Sequence, residues 1–446
     1  MGNVRARTKA PNKALKTKAP KTKALKKRYP LVPAKAMAAG LLAAGLIAAG
    51  LLATEAPSAT ADTQPTQPTQ PTQPTQPTQP PQPTPIIDGA AYVGAELRRQ
   101  YDYSYWGCRN PDGSGDGITL EWLRDGDPLP EDRQGETLRI LPEDQGSRIS
   151  MRVHPLTPGN QGCPTGTQLS SETLPVKASS RAMGWTGRGN FEPLARTKDG
   201  RLILYPRTYT YYKGACEGPC PAYWGSWDEP QQVGQGWNVF DIVFSPGDFD
   251  GDGFNDLLGR DAAGMLFLYP GDGEGGWLDR QQVGQGWNVF NSIVGPGDFN
   301  GDGTNDVLAR DTAGGLFLYP GDGEGGWLPR EQVGWGWQVM NKIITGGDMN
   351  ADGAVDIFGR DQDGYLHQYP TDGEGGWEDP ASLGPGWEAF SEVAGIGSSS
   401  HSKYNELSAV AANGDLLSYI TGASSTGLYG PYGPVGRGWN VFKELL

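Results

Sequence analysis

The chain has 446 residues, 67 of them glycine and 37 proline, and a net charge of −14. That composition favours many tight turns and at least one unstructured stretch over long helices. The charge is unevenly placed: residues 1–35 carry 12 Lys or Arg and no acid, whereas from Asp62 onward there are 25 basic and 50 acidic residues, a net charge of −25. Such a body argues against nucleic acid or anionic lipid as partners and suits a protein that gathers cations.

The basic leader runs into a 17-residue apolar stretch, Met37 to Ala53, followed by Ser58-Ala59-Thr60-Ala61. This pattern predicts that residues 1–61 are a signal peptide with a long basic leader and that the protein is secreted, either released or held at the cell surface. The same stretch, tilted and left uncleaved, also reads as a membrane anchor, the only membrane contact the sequence offers. Residues 62–85 hold six Thr-Gln-Pro copies over 63–80. They predict a polyproline II linker spanning roughly 50–70 Å at about 3.1 Å per residue; a spacer is favoured over a proline-motif ligand.

Residues 86–178 form a first module. Ile118–Arg124 alternates as a half-buried strand, Asp125-Gly126 makes a hairpin turn, and Thr137–Ile140 and Arg148–Val153 alternate again. Trp122-Leu123-Arg124-Asp125-Gly126 and Gly146-Ser147-Arg148-Ile149 resemble the immunoglobulin-like domains of bacterial surface proteins. The resemblance implies a β-sandwich with Trp122 in its core. The four cysteines fall as Cys108 and Cys163 here and Cys216 and Cys220 further on. An even count in an exported protein favours two disulfides, 108–163 and 216–220. A zinc knuckle at 216–220 is the alternative, but it needs four thiolates brought together.

Residues 179–446 repeat. Gly236-Trp237-Asn238-Val239-Phe240 returns around Trp287, Trp337, Trp387 and Trp439, at spacings of 50, 50, 50 and 52 residues. Each interval carries four short apolar runs separated by Gly, Asp and Pro, the content of one propeller blade. The fold class expected is all-β: a five-bladed β-propeller preceded by an immunoglobulin-like sandwich. The chain stops just after the last marker, so Lys443–Leu446 is expected to begin an inner strand beside Ala182-Met183 and close the ring.

Three units share an acidic loop: Asp248-Phe-Asp250-Gly-Asp252-Gly-Phe254-Asn-Asp256, Asp298-Phe-Asn300-Gly-Asp302-Gly-Thr304-Asn-Asp306, and Asp348-Met-Asn350-Ala-Asp352-Gly-Ala354-Val-Asp356. Side-chain oxygens recur at positions 1, 3, 5 and 9, and glycine at position 6 permits a left-handed turn. An all-oxygen set of this size suits Ca²⁺, giving three sites. An EF-hand is excluded, because its twelfth position would be Gly259, Ala309 and Gly359. Plain Asx and β-turns would explain one Asp-Gly, but not four oxygen-bearing positions repeated three times. Gly187–Asn190 and Ser398–His401, at the corresponding places of the first and fifth units, lack the oxygens. The three loops resemble the FG-GAP or VCBS repeat of integrin α-subunits and secreted bacterial propellers. That resemblance implies that calcium rigidifies the blades, with backbone carbonyls of Phe254, Thr304 and Ala354 completing the sites. A weaker similarity to tachylectin-type five-bladed lectins rests on the Gly-Trp-x-x-Phe marker and bears on sugar binding.

No arrangement for catalysis emerges. Glu274, Glu324 and Glu374 are equivalent copies, whereas a glycosidase needs an unlike pair in one cleft. His154, His367 and His401 are scattered. The expected function is a non-enzymatic binding or adhesion module for an extracellular glycan or protein; the alternative is the accessory propeller of a secreted hydrolase. Trp237, Trp287, Trp337, Trp387 and Trp439 are candidate ligand-binding residues, each presenting an apolar face with an N–H handle, or else they fill the space between blades.

Overall fold

The computed structural model describes residues 84–446 except 90, 100–107, 109–116, 157, 159–162, 179–183, 189–190, 212–222, 351, 398–404, 422–427 and 432. The expected signal peptide, most of the Thr-Gln-Pro linker and the Cys216–Cys220 pair therefore lie outside the described residues.

In the first module, two sheets share one core. Ile87–Asp88, Glu96–Arg99 and Thr137–Arg139 form one; Asp127–Pro128, Ile118–Arg124, Ile149–Pro155 and Gln168–Leu169 form the other. The alternation of Ile118–Arg124 against Ile149–Pro155 sets the register, with Trp122 opposite Met151. Leu97 and Leu138 from the first sheet meet Trp122, Met151 and Val153 from the second, all buried. The Trp122 indole donates to the Gly135 carbonyl at 2.9 Å. Asp125 and Gly126 take φ of 52° and 88°, the left-handed pair that a two-residue hairpin needs. A disulfide joins Cys108 to Cys163.

From Leu194 onward the described residues form five sheets of four strands or more on one plan, besides a two-stranded sheet of Arg207–Tyr211 and Tyr223–Trp227. One runs Phe240–Gly247, Asp256–Asp261, Leu266–Tyr269, Gln281–Gly284; the next Phe290–Gly297, Asp306–Asp311, Leu316–Tyr319, Glu331–Gly334; the third Met340–Gly347, Asp356–Asp361, Leu366–Pro370, Ala381–Gly384. In each the second strand is almost wholly buried and the fourth is half exposed. This is the gradient expected when sheets stack face to face and radiate from an axis. The first strands, with Phe390–Ala394 and Phe442–Leu445, line one central cavity.

The C-terminal strand joins the sheet that begins the repeat; Ala182-Met183, the partner expected from the sequence, lie outside the described residues. Phe442–Leu445 pairs with Leu194–Thr197, Phe442 opposite Thr197 and Leu445 opposite Ala195. Leu194–Thr197 is the second strand of its unit, in the place that Asp306–Asp311 holds beside Phe290–Gly297. The C-terminus thus supplies the missing first strand of the sheet that begins the repeat.

Neighbouring sheets are also joined by buried polar groups. Arg310 donates to the carbonyls of Trp337 and Met340 at 3.0 and 2.6 Å. Arg260 bonds Trp287 and Phe290 in the same way, Arg360 bonds Trp387 and Phe390, and Arg196 bonds Trp237 and Phe240. In the opposite direction the indoles of Trp277, Trp327 and Trp377 donate to Val233, Val283 and Val333 at 2.7–2.8 Å. Because a buried guanidinium is costly without acceptors, each arginine fixes the position of the following unit.

Candidate metal centre

Each acidic loop bridges the first and second strands of its sheet, so position 1 leaves the innermost strand and position 9 opens the next. Position 9 is held by backbone donors, on both oxygens in the first two loops and on Oδ2 in the third. Phe249 N–H and Asp250 N–H reach Asp256 Oδ2 at 2.7 and 3.2 Å, and Gly271 N–H reaches Oδ1 at 2.9 Å. Asp306 accepts from Phe299, Asn300 and Gly321, and Asp356 from Met349 and Asn350. Position 1 folds the loop over itself: Gly253, Gly303 and Gly353 donate to Asp248, Asp298 and Asp348 at 3.0, 3.1 and 2.9 Å. Those position-6 glycines have φ of 96°, 94° and 87°, which a Cβ would strain.

Oxygen atoms of Asp248, Asp250 and Asp256 lie within 4.8 Å of one another. Position 5 stands apart from that group and caps its own turn: Asp252, Asp302 and Asp352 accept from the N–H of Phe254, Thr304 and Ala354 at 2.9, 3.0 and 2.8 Å. In the second and third loops the Asn300 and Asn350 amides donate to Asp302 and Asp352, so positions 3 and 5 are linked side chain to side chain.

Electrostatics set these loops apart from ordinary turns. Burial, reinforced by Asp250 and Asp248, pushes Asp256 up to about 8. Asp306 is pushed to about 8 and Asp356 to about 7, again mainly by burial with their loop carboxylates adding to it, and Asp248 to about 6. Buried carboxylates facing each other are unfavourable when ionised without a counter-charge. In the first loop the donors are hard oxygens and three carboxylates converge, a set that fits a divalent cation; among the described residues the second and third loops hold no such group of three.

One contact between loops is not marked by the sequence pattern. At position 8, Asn305 donates through Nδ2 to the carbonyl of Asp248, position 1 of the preceding loop, at 2.8 Å. Asn405 makes the same bond to Asp348 although its own unit lacks the acidic loop. The third loop has Val355 there. The signal available was an Asn one residue before the second strand.

The five marker tryptophans are buried, between 3% and 7% exposed. Trp287 packs with its ring centroid 4.5 Å from that of Tyr319 and 5.4 Å from that of Trp327; Trp237 and Trp337 repeat the arrangement with Tyr269 and Tyr369. They are packing groups between sheets, with no ring face open to a ligand. Trp287→Ala is expected to cost about 3–5 kcal/mol, read as a lowered urea midpoint; a fully stable variant with weakened glycan binding would return these residues to the surface role. Glu274, Glu324 and Glu374 are exposed at the tips of turns organised by Asp272, Asp322 and Asp372, and His367 pairs with Asp361 at 3.1 Å.

The model of the FG-GAP-like repeat matches residues 248–309 and 298–359, which contain all three acidic loops. No curated protein sequence matches the chain. Similar solved structures include the BP39L lectin from Burkholderia pseudomallei (13% identity, 79% of this chain and 95% of that one, TM-score 0.34). Another is an Agrocybe aegerita lectin that recognises non-reducing terminal N-acetylglucosamine (13% identity, 78% and 89%, TM-score 0.32). A third is the exotype rhamnogalacturonan lyase YesX (14% identity, 78% and 59%, TM-score 0.25). At such scores none of these likenesses bears on what this chain binds. The repeated four-stranded sheets are those of a β-propeller repeat protein, in which residues 248–359 match the FG-GAP-like repeat.

Proposed function

We propose that the chain is an exported calcium-binding protein, a five-bladed propeller preceded by an immunoglobulin-like sandwich, and that it acts as a non-catalytic binding or adhesion module for an extracellular glycan or protein. The observation that carries the reading is the convergence of Asp248, Asp250 and Asp256 in the first loop, whose oxygen-bearing positions recur in the other two. One ion would be held by Asp248, Asp250, Asp252 and Asp256, a second by Asp298, Asn300, Asp302 and Asp306, and a third by Asp348, Asn350, Asp352 and Asp356. The carbonyls of Phe254, Thr304 and Ala354 are further candidate donors. Bound Ca²⁺ supplies positive charge, which lets the carboxylates remain ionised while buried. The remaining acidic groups support binding over catalysis: Glu274, Glu324 and Glu374 are repeated turn residues, not an unlike pair in one cleft.

Calorimetric titration of the full chain with calcium is expected to give three equivalents. Asp302→Ala is expected to give two, with the remaining sites unchanged. No binding by the unsubstituted chain, or an unchanged three for the variant, sinks the metal assignment. Glycan-array binding that needs calcium is expected for the function; enzymatic turnover of an arrayed glycan would overturn the non-catalytic reading.

A further inference from the structure

The first module rests on the acidic loops. Its short helical turn Pro142–Asp144 brings Pro142 against Gly253, where a Cβ would stand 3.1 Å from Pro142 Cγ. Gln145, the next residue along, donates through Nε2 to the Gly303 carbonyl. Leu174 lies against Gly353, where a Cβ would be 3.1 Å from Leu174 Cδ1, and the Lys177 ammonium would be 3.9 Å from that Cβ and 3.6 Å from one at Gly373. One module thus touches the same position, the sixth, of three successive loops.

The bodies brought together are both acidic. The three loops hold ten aspartates, and residues 86–178 hold nine basic and fourteen acidic residues, a net charge of −5. Lys177 is the basic group seen at the loop glycines. The contact is also incompletely packed. A cavity of about 730 Å³ is lined by Ile87, Tyr92 and Leu174 of the module and by Asp348, Asn350 and Gly353 of the third loop. Like charges across an incompletely packed interface favour separation unless a cation intervenes, and contacts between domains are mobile by default.

We infer that the three acidic loops are a cation-dependent docking surface whose partner is the chain's own first module. The inference rests on the calcium reading above and goes beyond it. Three divalent ions would offset six of the ten loop charges. They would also fix the left-handed turn that offers the position-6 glycines to Pro142, Gln145 and Leu174. Docking and ion binding are then linked, and each strengthens the other by the same factor.

Small-angle scattering of the full chain with excess calcium is expected to give a compact particle. The radius of gyration is expected to rise after chelation with circular dichroism still reporting folded sheets. The double variant Gln145→Ala/Leu174→Asp alters only the module side, and Leu174 is 53% exposed, so its folding is spared. At saturating calcium it is expected to scatter as the expanded particle, to bind three calcium ions, and to bind them about 5-fold or more weakly. If three ions bind but the variant stays compact with unchanged affinity, the docking inference fails and the calcium reading stands. If no ion binds the unsubstituted chain, both fail.

Discussion

Deletion of Phe442–Leu446 is expected to abolish cooperative folding of the repeat region. These residues form the innermost strand of the sheet that begins at Leu194, and Leu445 and Leu446 are 6% and 5% exposed. Each such side chain contributes about 1.5–3 kcal/mol through burial. Glu444 pairs with Arg196 at 2.5 Å, and the Arg196 side chain is wholly buried. Removing one partner of a buried pair costs about 3–5 kcal/mol. Together the loss is about 6–11 kcal/mol, comparable with the whole stability of a typical domain at about 5–15 kcal/mol. The truncation also leaves Leu194–Thr197 as a raw edge. The expected measurement is a broad, early thermal transition by circular dichroism, with association visible in sedimentation. A sharp transition within a few degrees of the full chain would mean that the strand does not close the ring.

What the sequence made legible was local. Asp125-Gly126 specifies its hairpin through its own φ preferences, and the interval between Gly-Trp markers specifies the repeat because every unit must bury the same strands. The acidic loops were readable because a turn that gathers oxygens needs them at fixed offsets. Non-local pairing was not readable in that way. The C-terminal strand was expected beside Ala182-Met183, which lie outside the described residues; the partner seen is Leu194–Thr197, which the sequence did not point to. In the three central units the aspartate loop marks where the first strand ends and the second begins; the first unit lacks those aspartates, so the marker was absent at the sheet that the C-terminal strand joins. The contacts of Arg196, Arg260, Arg310 and Arg360 and of Asn305 and Asn405 end on backbone carbonyls 27–57 residues away. A carbonyl leaves no trace in composition, so these residues read as ordinary polar members of a strand or loop. The marker tryptophans were ambiguous for a different reason. An indole beside glycine suits both a sugar site and a gap between sheets, and only burial separates the two.

Calcium and pH are expected to act on stability in opposite senses, and the sign follows from the carboxylates at position 9. Burial pushes Asp256 and Asp306 up to about 8 and Asp356 to about 7 when no cation offsets their charge, whereas an unfolded aspartate has a pKa of about 3.9. Between those limits the folded chain holds more protons than the unfolded chain, so stability falls as pH rises. In EDTA the melting temperature should therefore be higher at pH 5 than at pH 8. With calcium the ion replaces the protons, and binding strengthens as the carboxylates ionise, so the order should reverse. A ligand at about 100 times its dissociation constant contributes about 2.7 kcal/mol per site, or about 8 kcal/mol for three sites. At about 2–4 °C per kcal/mol for a domain of this size, chelation at pH 8 should lower the melting temperature by about 15–30 °C. Magnesium at the same concentration should restore less of it, because the loops offer too many protein oxygens for an ion that keeps its water. Equal melting curves with and without EDTA at pH 8 would remove the metal. A fall in stability from pH 5 to pH 8 that persists in saturating calcium would leave ion binding possible but place it away from Asp256, Asp306 and Asp356.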